Sequence, residues 1–211
     1  MQIAVLLYPG FTALDCIGPY DVLARLPEAE VVFVAETRGE VRTETGMLGI
    51  TADAAIDEIR TPDVLLVPGG FGTRRLMSHD PTLDWIRAVH EHTTWTTSVC
   101  TGSLLLGAAG LLRGLDATTH WASVELLEAT GARYTEQRVV WQGKVVTAAG
   151  VSAGIDMALE LSREIAGDLF AQGIQLSIEY DPQPPFDCGA PSKATPELVE
   201  LVTAAMRRAE E

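Results

Sequence analysis

The sequence predicts an α/β protein with a mostly parallel β-sheet layered between helices. Two observations carry this reading. Apolar runs of strand length recur without the polar alternation of a half-exposed sheet, and amphipathic helical stretches separate them. Strands covered on both faces read as continuous apolar runs, and parallel neighbours need a helical crossover between them. In such a sheet, ligands sit beyond the carboxyl ends of the strands.

The elements follow in order. Ile3 to Tyr8, IAVLLY, is the first strand; it lacks the basic start of a secretion signal and is cut short by Pro9 and Gly10. Leu14 to Leu26 reads as a helix, Val31 to Glu36 as the second strand and Val64 to Gly70 as the third. Pro81 to Glu91 is a helix with Asp80 as N-cap and Pro81 at its first position. Thr94 to Val99 is the fourth strand. Arg138 to Thr147 is a hairpin turning at Gln142 and Gly143, and Ala153 to Ala166 is the helix after it. The Pro-rich stretch Tyr180 to Pro191 has an apolar anchor in Phe186, and a closing helix follows with Thr195 as N-cap and Pro196 in its first turn. With no internal repeat, residues 1–211 read as one domain, the Pro-rich tail and closing helix starting at about 180.

Composition narrows the function. A formal net charge of −14 repels phosphate backbones and anionic bilayers, so neither nucleic acid nor membrane is an expected partner. No apolar stretch is long enough to span a bilayer. Cys16, Cys100 and Cys188 are an odd number at wide spacing, which fits reduced thiols in the cytoplasm better than a disulfide framework. His90 and His92 stand two apart on a helix and point to different faces, so no metal site is expected.

The chemistry concentrates between Thr96 and Gly110, TTSVCTGSLLLGAAG, where Cys100 lies between a β-favouring stretch and a helix rich in small residues. That is the layout of a nucleophile elbow, which lifts its central side chain at the sheet edge into the field of a helix N-terminus. Such a field would make Cys100 the most acidic of the three thiols, with a pKa of roughly 6. The same pattern also fits a cysteine buried as packing.

Five segments in order, YPGFTALDCIGPYDVL, VLLVPGGFG, SVCTGSLLLGAAGLLRG, DATTHW and GVSAGIDMALEL, together resemble the ThiJ/PfpI superfamily, a flavodoxin-like three-layer sandwich, from about Met1 to Pro191. Asp15, Thr101 and the PQPPFDCG tail resemble its isonitrile hydratase branch. The resemblance implies that Cys100 is the nucleophile and Asp15 the general acid and base, with the Thr101 hydroxyl positioning water. It also implies an anion pocket from the Gly70 and Thr101 N–H groups, which the backbone of Gly69 and Gly70 lines. A small isonitrile would then become an N-substituted formamide with no metal or organic cofactor.

His120 has two readings, an orienting partner of Cys100 or of the water, or a hydrogen-bonded structural histidine. Cys16 reads as packing and Cys188 as structural. The resemblance further implies a homodimer paired around Cys16, Ile17 and Tyr20. Ile17, Tyr20, Val22 and Leu23 add more apolar surface to that helix than one buried stripe needs.

Two other classes stay open. One is glyoxalase- or deglycase-like handling of reactive carbonyls, for which a longer acid than Asp15 is usual. The other is a non-catalytic redox sensor or chaperone. Thr101 stands where the protease branch has histidine, which reads against a peptidase, and only one short helix follows the tail, which reads against a DNA-binding regulator.

Overall fold

The structure, a computed structural model, describes residues 1–210 and divides into two units, Met1–Ile178 and Glu179–Glu211. In the first unit the elements are β1 (Gln2–Leu6), α1 (Ala13–Leu23), β2 (Glu30–Ala35), β3 (Gly39–Arg42), β4 (Gly49–Ala52), β5 (Ala54–Ala55) and β6 (Val64–Val67). Then come α2 (Thr73–Leu76), α3 (Asp80–His92), β7 (Trp95–Val99), α4 (Gly102–Ala108), β8 (Asp116–Ala117), α5 (Val124–Ala129) and β9 (Arg133–Tyr134). β10 (Val139–Gln142), β11 (Val145–Ala148), α6 (Ala153–Ala166) and α7 (Asp168–Ser177) complete it.

The main sheet has the order β10-β11-β7-β6-β1-β2-β5, parallel except for β10. Its centre is as dry as the apolar runs require, since Ile3 to Leu6 and Val64 to Val67 are all buried. From β1 the chain steps outward through α1 to β2, but from β6 it steps the opposite way through α3 to β7. Right-handed crossovers in opposite directions put those helices on opposite faces, and the reversal falls at the carboxyl ends of β1, β6 and β7, where α/β sheets bind their ligands.

Several boundaries differ from expectation for local reasons. β6 stops at Val67 because Pro68 has no N–H for the ladder. The hairpin turns at Gly143 and Lys144, since Gln142 still pairs with Val145. His79, not Asp80, is the residue preceding α3; Asp80 lies in the first turn, where its charge meets the positive end of the helix. The β3–β4 hairpin and α7 add to the elements expected from the sequence. Within α1, Cys16, Val22 and Leu23 are core, so the apolar surplus reduces to Leu14 and Tyr20, 41% and 36% exposed, beside half-buried Ile17.

The second unit holds a short 3-10 turn, Pro191–Lys193, and α8 (Pro196–Glu210). Thr195 caps α8 as expected, its Oγ1 accepting the Leu198 N–H at 3.3 Å. Phe186 is 75% exposed, and Cys188 is exposed too, against the structural role expected of it. Among the described residues no helix is long and apolar enough to cross a membrane.

Candidate active site

Three strand ends deliver the side chains. Asp15 comes from the first turn of α1, Gly69 and Gly70 from the loop after β6, and Cys100 and Thr101 from the turn between β7 and α4. Because α1 starts at Ala13, with Thr12 before it, Asp15 lies inside the helix. Its carboxyl is wholly buried, with Oδ2 accepting the Gly69 N–H at 2.8 Å and Oδ1 lacking a hydrogen-bond partner.

Cys100 takes φ 56°, the left-handed conformation of a sharp strand-to-helix turn, and is 5% exposed. Its N–H donates to the carbonyls of Ala148 and Ala149 at 3.1 and 3.0 Å, while its own carbonyl accepts the hydroxyls of Ser103 and Thr119, both at 3.1 Å. The turn is therefore fixed from both sides, and the thiol faces the Asp15 carboxyl closely enough for the two to couple.

The glycines are required by close approach. A Cβ at Gly69 would lie 2.5 Å from the Thr101 nitrogen and 2.8 Å from Asp15 Oδ2; one at Gly70, where φ is 134°, would lie 2.3 Å from the Gly10 carbonyl oxygen. Their N–H groups serve a different purpose from the expected pocket. That of Gly69 holds Asp15, and that of Gly70 donates to Thr101 Oγ1 at 2.9 Å. Gly70 thus orients Thr101 and does not offer a free donor to an anion. The N–H groups turned to the Cys100 sulfur are those of Thr101 and Val151.

Electrostatics overturn the expectation of an acidic thiol. Burial, and then the Asp15 carboxyl, push Cys100 well up, and the Thr101 and Val151 N–H groups with the Thr101 hydroxyl offset this only in part. A seven-residue helix cannot replace the water that burial removes. Burial likewise pushes Asp15 from 3.8 up to about 8, against the Gly69 N–H, with the Glu44 charge adding to the rise. At neutral pH the pair is a thiol facing a carboxylic acid. Cys16, buried as expected with its Sγ 3.1 Å from the Ala13 carbonyl, is pushed up to about 12.

His120 stands one loop away. Its ring packs over Gly150, next to Val151, its Nδ1 accepts the Ala122 N–H at 3.3 Å, and burial followed by the Arg74 charge pushes it down to about 4, so it is neutral. His90 and His92 do not join the site; His90 Nδ1 pairs with Thr96 Oγ1 at 2.8 Å.

Four neighbours were missed by sequence reasoning. Buried Tyr8 donates its hydroxyl to the Pro68 carbonyl at 2.7 Å; Arg74 reaches Thr73 and Ser123 at 3.0 and 2.9 Å; Glu44 accepts the Thr12 hydroxyl at 2.8 Å; and Val151 offers its backbone. A tyrosine ending a buried strand and an arginine just past the glycine loop were visible signals. A backbone N–H 51 residues beyond the cysteine was not.

The chain is 46% identical over 200 residues to the isonitrile hydratase of Pseudomonas putida, covering 95% of this chain and 87% of that protein. A THiJ/PfpI family protein from Pseudomonas syringae superposes with a TM-score of 0.94 at 37% identity, over 99% of this chain and 87% of that one. Drosophila melanogaster DJ-1beta shares the fold at a TM-score of 0.77 and 21% identity, over 86% and 98%. The DJ-1/PfpI family model matches residues 1–164, and the chain belongs to the DJ-1/PfpI family.

Proposed function

We propose that the protein hydrates isonitriles to N-substituted formamides, with Cys100 as nucleophile and Asp15 as the proton carrier. The observation that carries this is the buried, neutral thiol–carboxylic acid pair, in a chain so similar along its length to an isonitrile hydratase. The terminal carbon of R–NC is slim enough to reach a sulfur that is almost closed off. Asp15 donates its proton to that carbon while the Cys100 sulfur bonds to it, and the thiol proton passes to the Asp15 carboxylate. The product is a thioimidate, R–N=CH–S, and no free thiolate is needed.

Water held by the Thr101 hydroxyl then adds to the carbon, Asp15 protonating the nitrogen and taking a proton from the water. Collapse of the adduct breaks the C–S bond, gives R–NH–CHO and returns the thiol. Proton transfer by a positioned group contributes about 10²–10⁴-fold, which is the share assigned to Asp15.

Free cysteines at all three positions support a reducing, cytoplasmic setting. Exposed Leu14 and Tyr20 on α1 support a homodimer paired there. The test is to incubate the protein with an alkyl isonitrile and, in parallel, with methylglyoxal. Formamide from the first is expected. Lactate from the second without formamide would replace the reading by glyoxalase chemistry.

A further inference from the structure

The β3–β4 hairpin does more than decorate the sheet edge. The Phe11–Thr43 bridge, the Gly10 N–H on the Arg42 carbonyl at 3.0 Å and the Glu44 N–H on the Phe11 carbonyl at 3.0 Å fasten it to the loop after β1. That loop continues the chain of contacts inward. The Thr12 N–H donates to the Gly69 carbonyl at 2.8 Å, the Gly69 N–H holds Asp15 Oδ2, and the Asp15 N–H returns to the Thr12 carbonyl at 3.2 Å. Glu44 closes the outer end by accepting the Thr12 hydroxyl.

We propose that Glu44 is a positioning residue for Asp15, its carboxylate held by the Thr12 hydroxyl at the end of this ring so that its charge keeps the Asp15 proton in place between turnovers. The proposal rests on the reading of Asp15 as proton carrier. An acid that must begin each cycle protonated gains from a fixed negative neighbour, because a second charge nearby disfavours its ionisation.

The other groups facing Asp15 do not supply that charge. Cys100, from the β7–α4 turn, and Cys16, on α1 itself, are thiols pushed up by burial. Tyr8, after β1, is a buried phenol pushed up as well, and it feels Glu44 and the opposing charge of Arg74 from α2. On α6, where Ile155 seats against Gly18 of α1, the adjacent Asp156 is paired with Arg138. Glu44 adds to the rise of Asp15 directly.

The test follows the Asp15 carboxyl carbon by NMR in protein labelled with ¹³C-aspartate, with formamide production measured alongside. Glu44→Gln keeps an acceptor for Thr12 and removes the charge. Its Asp15 midpoint should fall, and fall more at 0.01 M than at 0.15 M salt, where the screening length drops from about 30 Å to about 8 Å. Thr12→Val leaves the charge but frees it to swing into water, and its midpoint should fall in the same direction by less. An unchanged midpoint in Glu44→Gln, or a shift in melting temperature without one in titration, would overturn the proposal. If the wild type makes no formamide while Glu44→Gln still moves the midpoint, the hydratase reading fails and the electrostatic one stands.

Discussion

Replacing Asp15 by asparagine should stabilise the protein at neutral pH while disabling it, and the two stability curves should cross. Burial raises this carboxyl from 3.8 to about 8, so the folded state holds a proton that the unfolded chain releases across that interval. A folded pKa above the unfolded one gives stability that is complete below about 4 and lost as pH rises towards 8. Each pH unit is worth about 1.4 kcal/mol, so the wild type gives up about 4 kcal/mol from this group between pH 4 and pH 7.

Asparagine does not titrate. Its carbonyl can still accept the Gly69 N–H, but its amide nitrogen falls where Oδ1 now lacks a partner, at a cost of about 1–3 kcal/mol. The variant should therefore be less stable than wild type at pH 4 and more stable by about 1–3 kcal/mol at pH 7, the curves crossing at roughly pH 5–6. Urea denaturation between pH 4 and 8, followed through the four tryptophans, measures both curves. Groups common to both proteins cancel in the difference. A stability difference that does not change with pH would refute the assignment of a raised Asp15.

Other outcomes test the surrounding geometry. Gly69→Ala should cost about 1–3 kcal/mol of stability by overpacking and also depress formamide production, because its Cβ would press on both Thr101 and Asp15; a fully active variant in a steady-state assay would contradict the close approach. Cys100 should alkylate more slowly than exposed Cys188 at pH 7, read by mass spectrometry of labelled peptides, and preferential labelling of Cys100 would restore the acidic-thiol expectation. Light scattering should give about twice the single-chain mass of 22.6 kDa, and a mass equal to it would remove the dimer.

The sheet was legible because burial on both faces writes itself as uninterrupted apolar runs; β1, β6 and β7 each lie within a residue or a few of the expected strands. Cys100, Asp15, Gly69, Gly70 and Thr101 were found as residues, and the structure brings all five together. Their relations were less legible. Which N–H meets which acceptor depends on the approach of three loops far apart in sequence, so the use of the Gly70 N–H on Thr101 and the part of Val151 had no local signature. Desolvation is likewise a property of the assembled interior. A helix N-terminus after Cys100 suggested an acidic thiol, whereas burial, which no local pattern measures, decides the other way. The β3–β4 hairpin has no such signature because its strands are four residues each and hold no uninterrupted apolar run.

The main sheet ends in short margins, two residues at β5 and four at β10. A strand of two residues offers too few unpaired backbone groups to recruit a neighbouring molecule, and at the other margin the neighbour would have to add to a four-residue hairpin arm. Growth from sheet to sheet between molecules therefore has little purchase, and the net charge of −14 keeps chains apart before they meet. Long storage at high concentration should then leave the protein clear, its most apolar strands, β1 and β6, sealed in the centre of the sheet.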